Sequence, residues 1–323
     1  MTQKQPIVAV TRATPGGDLR VEGAEMRQFG DAKPTRQELF ELVEGASVIV
    51  SMFSDPVDRE LIDAAGEGLR GICNFAVGFN NIDTECCKER GIVVANTPDA
   101  VTEGTANLGF MLLLACARRL VESDRFTRSG AWVDHGPLSM SDFMGLELTG
   151  RVIHIVGAGR IGYAMAQRAK AFGMDVIYTA RSQKIGFEIA PLSARRAGLE
   201  EGLAMADVVS IHTPLTPETK HLLNRERIGM LKPEAIVVNT SRGPTIDEAA
   251  LAEACREKRI WGAGLDVFEE EPRVHPELVR LDNVVLTPHI GSAERRWREE
   301  MSRMCEQNAA AILAGEEPPY RVV

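Results

Sequence analysis

The chain has no apolar run long enough to cross a bilayer; the longest strongly apolar stretch, Leu108 to Ala117, falls well short. Its first residues, Met1-Thr-Gln-Lys-Gln-Pro6, carry no apolar core of the signal-peptide kind. The six cysteines (Cys73, Cys86, Cys87, Cys116, Cys255, Cys305) show no C-x-x-C and no metal-ligand spacing, so no metal site is expected. They read as reduced thiols of a cytoplasmic protein. Positive charge is in deficit, with 37 Lys and Arg against 46 Asp and Glu for a net charge of -9. That balance argues against a nucleic-acid or anionic-membrane partner and leaves room for a local basic pocket. Repeats and low-complexity segments are absent as well. What is present, 323 residues with 44% hydrophobic content, suits two domains with real cores.

The chain is organised around Val152-Ile-His-Ile-Val-Gly157-Ala-Gly159-Arg160-Ile161-Gly162. A short β-branched run is followed at once by G-x-G-x-x-G. Ile161, Ala164, Met165, Ala169 and Phe172 then recur at helical spacing. The glycine motif alone is weak. Between a strand and an amphipathic helix it is the fingerprint of a dinucleotide-binding βαβ unit. Gly157 permits the tight turn, Gly159 lets a pyrophosphate approach the backbone, and Gly162 lets helix and strand pack closely. The helix start, with Arg160 and Ile161, offers unpaired N–H groups to the phosphates.

Before this unit, apolar runs at Ile7–Val10, 46–50, 69–73 and 92–95 alternate with helical segments at 35–44 and 56–65. Such alternation predicts a parallel sheet with helices on both faces. The turn Asn74 to Asp83 follows a strand end, where Val77 and Gly78 offer backbone N–H groups suited to a carboxylate; the plainer reading is a strand-to-helix turn with Asp83 at the helix start. Thr102 to Leu120 reads as a helix apolar nearly all round, hence buried, between two domains. Ser129 to Thr149 reads as loop. After the fingerprint come strands at 175–180, 207–212, 235–239, 262–268 and 284–286, with helices at 222–230 and 247–256. A final helix from Ala293 to Ala314, striped by Trp297, Met301, Met304, Cys305, Asn308 and Ile312, is stopped by Gly315 and two prolines. Its simplest place is back on the first unit. The expected architecture is therefore α/β: a Rossmann-type doubly wound parallel-sheet domain at 102–292 that binds dinucleotide, and a smaller discontinuous flavodoxin-like domain, 1–101 with 293–323, that binds substrate.

An NAD site normally places Asp or Glu near the end of the second strand, on the ribose 2′-hydroxyl. Here Ala180 is followed by Arg181 and Ser182, a cation and a hydroxyl suited to a 2′-phosphate. NADP(H) is therefore the expected cofactor, with NAD(H) possible. Arg242, a carboxylate (Asp266 or Glu271) and His289 each stand just past a strand, and strand ends on one edge of a parallel sheet converge. Reduction of a 2-keto acid needs its carboxylate held, its carbonyl polarised and a proton delivered as hydride arrives. Arg242 suits the first two tasks and His289 the third, with Glu271 fixing the imidazole tautomer. His154 reads as a core residue, and His212 as a neighbour of the cofactor.

Six segments together make the chain similar to the D-isomer-specific 2-hydroxyacid dehydrogenase family over almost its whole length. They are Ala76 to Asp83, Gly157 to Gly162, His212 to Thr219, Asn239 to Gly243, Gly264 to Pro272 and Pro288 to Ser292. The resemblance implies Arg242, Glu271 and His289 as the catalytic three, and Val77 and Gly78 as carboxylate holders. It implies Thr105, Pro214, Thr240 and Asp266 near the cofactor, a discontinuous outer domain, and a homodimer. Phe126 to Trp132, Arg168 to Met174 and Tyr178 to Ser182 most resemble the glyoxylate/hydroxypyruvate reductases of that family. No regulatory domain of the kind some relatives carry is expected after Gly315. Two departures bear on the acid: Val133 to Met140 lacks a tryptophan-rich pattern, and Phe53 is larger than usual at the substrate end. The expected reaction is NADPH-dependent reduction of glyoxylate or hydroxypyruvate. The alternatives are a D-lactate or bulkier 2-hydroxyacid dehydrogenase, and a non-enzymatic dinucleotide-sensing protein of the corepressor type.

Overall fold

The structure, a computed structural model, describes residues 5–323; Met1 to Lys4, the start of the stretch read above for a signal peptide, lie outside the described residues. The chain divides into two compact units, Met1–Val101 with Ser292–Val323, and Thr102–Gly291.

The first unit holds a five-stranded parallel sheet. Its strands are β1 (Ile7–Val10), β2 (Glu25–Gln28), β3 (Val48–Met52), β4 (Gly71–Phe75) and β5 (Val93–Ala95), in the order β2-β1-β3-β4-β5. This is the flavodoxin-like order. Ala9 pairs Ile49, Ile49 pairs Ile72, and Ile72 pairs Val94. β1, β3 and β4 are buried along their whole length, as a sheet covered on both faces requires. The edge strand β2 (Glu-Met-Arg-Gln) is partly solvent-facing, and without an apolar run it gives no strand signal in the sequence. Thr35 caps the helix Arg36–Val43 in a reciprocal box with Glu38, and Asp58 caps Arg59–Ala65. The helix Arg295–Ala314 packs on β3 and β4. It comes so close that a Cβ on Gly71 would lie 2.6 Å from Ile312 Cδ1, so a larger residue there would have to displace that side chain. Met301, Met304, Cys305, Asn308 and Ile312 are buried as the stripe requires, whereas Trp297 is half-buried.

The second unit holds seven parallel strands: β6 (Val152–Val156), β7 (Asp175–Thr179), β8 (Arg195–Arg196), β9 (Val208–Ile211), β10 (Ile236–Asn239), β11 (Gly262–Leu265) and β12 (Val284–Leu286). Their order is β12-β11-β10-β9-β6-β7-β8. The chain runs outward from β6 to one side and from β9 to the other, so the β6/β9 junction is the topological switch point, where doubly wound sheets bind ligands at their carboxyl edge. Alternation along the strands feeds two cores. Ile153, Ile155, Ile236 and Val238 join Leu112, Leu113 and Met165 on one face, while Val209, Ile211 and Val237 join Leu203 and Leu251 on the other.

Several sequence expectations need correction. The helix read to Leu120 ends at Ala117, because Arg119 adopts a left-handed conformation (φ 51°); a second helix, Leu120–Arg128, leaves at a bend of 66°. Met111 is half exposed, so the first helix is not buried all round. The passage read as loop contains a short helix, Ala131–His135. The helix read over 222–230 shrinks to Arg225–Ile228, capped by the Asn224 side chain. Among the described residues, no single helix is long and apolar enough to cross a membrane.

Candidate active site

The three fingerprint glycines separate by geometry. Gly157 has φ 101°, and a Cβ there would lie 2.7 Å from the His212 carbonyl carbon and oxygen. At Gly162 a Cβ would lie 2.3 Å from the Gly157 oxygen and 2.9 Å from Ile155 Cγ2. Both are demanded by the fold itself. At Gly159 a Cβ would meet nothing within 4 Å, so no protein atom requires glycine there. Gly159 is the N-cap of the helix Arg160–Ala171 and supplies no side-chain cap, and the positive end of the helix dipole there suits an anion.

Around the same strand ends stand buried polar atoms without a hydrogen-bond partner: Thr240 Oγ1 after β10, and Thr213 Oγ1 and His212 Nδ1 after β9. Buried polar groups are ordinarily satisfied. With the open space at Gly159, these orphans fit a polar dinucleotide at the switch point. Pro214 follows in the same loop, its carbonyl taken by Thr219 Oγ1 at 2.6 Å. Thr105 is buried on the helix Thr102–Ala117, and its Oγ1 would lie 3.2 Å from a Cβ at Gly291.

Past β7, Arg181 and Ser182 are exposed. Glu218 has its pKa held below the usual carboxylate value by hydrogen bonds from Thr216 and its own backbone, and by the positive charge of Arg181. The Arg181 guanidinium is thus near enough to Glu218, in the loop after β9, for its charge to be felt there.

Glu271 links the three groups singled out for chemistry. Its Oε2 meets His289 Nδ1 at 2.8 Å, and its Oε1 accepts the Phe268 amide at 3.1 Å. Burial pushes the Glu271 carboxyl up, but the hydrogen bond and charge of His289, the Phe268 amide and the charge of Arg242 outweigh it, and the net shift is downward. Burial lowers the pKa of the largely enclosed Arg242 guanidinium, opposed by the charge of Glu271. Arg242 reaches this place because Gly243 lets the β10 and β11 loops touch. A Cβ on Gly243 would lie 1.9 Å from the Phe268 carbonyl. Asn239 Nδ2 and Thr245 Oγ1 hold the Arg242 carbonyl at 3.1 and 2.6 Å.

His289 has φ 54°, a conformation rare for a side chain that size. Asp266 maintains it. The buried Asp266 accepts Thr287 Oγ1 at 2.7 Å and the Ile290 and Gly291 amides at 2.8 Å each, while its carbonyl accepts the His289 amide at 2.8 Å. Glu271, the carboxylate that the sequence reading set beside the imidazole, meets it, and Asp266 braces the backbone that presents it.

In the first unit, Asp83 caps the helix Thr84–Arg90, as the plain turn reading has it. The same turn also presents amides. The Thr97 amide takes the Ala76 carbonyl at 3.0 Å and Asn96 Nδ2 the Val77 carbonyl at 2.8 Å. In a trans peptide the N–H points opposite to the C=O, so the Val77 and Gly78 amides face away from these anchors. Phe53 follows β3, half-buried. The sequence reading missed Arg12, just past β1. Its Nη2 pairs with the fully buried Asp55 at 3.0 Å, and its buried Nε has no partner. A lone arginine after an apolar strand was its only signal.

The remaining histidines stay outside the constellation. His154 is fully buried, shares a 2.8 Å hydrogen bond with Thr179 Oγ1, and is pushed down to about 4 by burial. His221 pairs with Glu269 at 3.0 Å. Among the described residues no group of His, Cys, Asp and Glu is placed to hold a metal.

A doubly wound sheet with a glycine fingerprint at its switch point, and a carboxylate-bound histidine on the same carboxyl edge, defines a nicotinamide-dinucleotide oxidoreductase. Comparison with known proteins narrows this. The family model described as D-isomer specific 2-hydroxyacid dehydrogenase, NAD binding domain, matches residues 110–291. The glyoxylate reductase of Thermococcus onnurineus is 45% identical over 325 residues, covering 98% of this chain and 96% of that one. That of Pyrococcus furiosus is 45% identical over 322 residues, covering 98% and 95%. The crystal structure of an NADPH-dependent glyoxylate/hydroxypyruvate reductase from Sinorhizobium meliloti, in complex with NADP and malonate, superposes with a TM-score of 0.83 at 31% identity, covering 99% of this chain and 97% of that one. The chain belongs to the D-isomer specific 2-hydroxyacid dehydrogenase family.

Proposed function

We propose that this protein reduces a small 2-keto acid, glyoxylate or hydroxypyruvate, to the 2-hydroxy acid, with NADPH preferred to NADH. The observation that carries the chemistry is the His289–Glu271 hydrogen bond of 2.8 Å within the field of Arg242. A nicotinamide held at the β6/β9 switch point would supply the hydride that the carbonyl carbon receives. Arg242 grips the substrate carboxylate with its planar fork and polarises the neighbouring carbonyl. His289 delivers the proton to the carbonyl oxygen. Glu271, kept ionised by its surroundings, holds Nδ1 so that Nε2 faces the substrate and stabilises the charged imidazole. The Val77 and Gly78 amides assist with the carboxylate, and Phe53 borders the substrate. Thr105, Pro214, Thr240 and Asp266 border the cofactor beside Gly157, Gly159, Arg160, Ile161 and Gly162. Arg181 and Ser182 receive the 2′-phosphate. That the glyoxylate reductases of Thermococcus and Pyrococcus match over nearly the full length supports the choice of acid.

A homodimer is part of this reading. Val133 (86% exposed) and Met140 (97%) stand out in a run that also exposes Trp132, Leu138 and Met144, the sort of surface a second copy covers. Cytoplasmic placement fits six free, buried cysteines.

The test is initial rates with glyoxylate, hydroxypyruvate, pyruvate and an aromatic keto acid, each with NADPH and NADH. Fast NADPH oxidation with the two small acids is expected. Preference for pyruvate or the aromatic acid would overturn the choice of acid, and preference for NADH would overturn the role of Arg181. Sedimentation of the purified protein as a monomer would remove the dimer.

A further inference from the structure

The geometry points to Arg196 as a positioning residue for cofactor selection: it ties back the backbone at Ala180 and Arg181, so that the loop offers two amides, not one side chain alone, to a phosphomonoester at the ribose 2′ position. The inference rests on the NADP reading of the preceding subsection and deepens it.

Arg196 lies on the two-residue edge strand β8, paired in register with Tyr178 of β7. Its Nη2 donates to the Ala180 carbonyl at 2.9 Å and to the Arg181 carbonyl at 3.2 Å. Both peptides following these carbonyls are trans, the only cis bonds among the described residues being Ala190-Pro191 and Glu271-Pro272. A trans peptide points its N–H opposite to its C=O. With both carbonyls turned toward Arg196, the Arg181 and Ser182 amides turn away from it, and among the described residues neither has a hydrogen-bond partner. Two successive amides without a partner, beside the Ser182 hydroxyl and the Arg181 guanidinium, make up a donor set whose chemistry suits a dianionic phosphate better than a neutral hydroxyl. The loop beyond is braced too. Tyr178 Oη accepts the Lys184 amide at 2.9 Å and donates to Glu188 at 2.6 Å, and Thr179 Oγ1 donates to the Ala197 carbonyl at 3.0 Å. Arg195, one residue away, points elsewhere and pairs with Glu201 at 2.7 Å. The two arginines therefore differ in task, not in charge.

The experiment is calorimetric titration of the full chain with 2′,5′-ADP and with 5′-AMP, which differ by the 2′-phosphate alone, for the wild type, Arg196→Met, Arg195→Met and Arg181→Ala. Wild type should favour 2′,5′-ADP. Arg196→Met should lose about tenfold of that preference, the scale of one charge-assisted hydrogen bond, with 5′-AMP affinity unchanged. Arg195→Met, an equal loss of charge, should keep it. Should Arg196→Met not fold, Arg196→Lys carries the test, because a point-like ammonium keeps the charge without the guanidinium's reach to both carbonyls. A wild-type ratio in the Arg196 variants with a lost ratio in Arg181→Ala would overturn this inference alone. Equal loss in Arg195→Met would replace it by bulk electrostatics. No preference in the wild type would overturn the NADP reading together with it.

Discussion

Replacing the fingerprint glycines one at a time should separate the glycine the fold requires from the glycine the cofactor requires. At Gly159 an added methyl meets no protein atom within 4 Å, and its φ of -89° and ψ of -165° suit any residue. Gly159→Ala should therefore change stability by less than about 1 kcal/mol, a weaker N-cap offsetting a stiffer unfolded chain. At Gly162 the methyl would lie 2.3 Å from the Gly157 oxygen, roughly 1 Å inside ordinary contact, against backbone that cannot step aside cheaply. Forced repacking of that kind costs about 1–3 kcal/mol. For a unit of this size that is a fall in Tm of roughly 2–12 °C. The ligand ranking should run the other way. The Gly159 methyl occupies the space through which a pyrophosphate reaches the first-turn amides, so cofactor affinity should fall by about a hundredfold, the loss of two phosphate hydrogen bonds. Thermal melting without ligand, paired with calorimetric titration of NADPH and NADH, reads both effects. If Gly159→Ala bound cofactor as the wild type does, the pyrophosphate would not pass over Gly159 and the placement of the site would be wrong. If it melted as early as Gly162→Ala, the open space would not be open.

Three further outcomes follow from the same geometry. His289→Ala should reduce kcat by about 10²–10⁴-fold, the usual scale of a general acid, while titration shows cofactor binding intact; an unchanged kcat would remove His289 from proton transfer. Arg242→Ala should raise KM for the keto acid and lower kcat together, and steady-state kinetics that moved neither would sink its role as carboxylate anchor. His154 bears on stability against pH: burial pushes it from 6.5 to about 4, below its unfolded value. Its contribution is complete above about pH 6.5 and is lost as pH falls toward 4, because there the unfolded chain takes a proton that the folded chain refuses. Between pH 7 and pH 5 the loss is about 2 kcal/mol from this group. Urea unfolding should therefore show His154→Gln losing less stability than wild type over that interval, and parallel losses would refute it.

Much of the architecture was legible because its signals are local. β1, β3, β6, β9 and β10 are short apolar runs whose length and punctuation identify them without reference to anything distant. The glycine fingerprint is an i, i+2, i+5 pattern within one turn. Elements whose stability comes from neighbours gave no such sign. β2 is polar and β8 is two arginines, and each is a strand only because β1 and β7 offer it a ladder. The helix break at Arg119 follows no proline or glycine. It coincides with bidentate pairing to Glu122 at 2.8 and 2.6 Å, and with the chain returning to place the Leu146 amide on the Ala117 carbonyl.

The candidate site divides along the same line. By itself the amino-acid sequence determined that a cation, an imidazole and two carboxylates stand just past successive strands, and that the end of β7 carries arginine and serine in place of an acid. A parallel sheet converts position along the chain into position along one edge, which is why that much follows from pattern alone. The sequence reading also paired Glu271 with His289, but only the tertiary structure showed how Asp266 is used. Asp266 and Glu271 are five positions apart and chemically alike, yet one spends its oxygens on the 287–291 loop and the other on the His289 ring and the Phe268 amide. It alone also showed that Gly243 is the contact letting two loops touch, and that Arg196, fifteen positions on, donates to the Arg181 carbonyl. Hydrogen bonding and close packing act through space over a few ångströms, and a sequence does not record which distant residues will be brought that near.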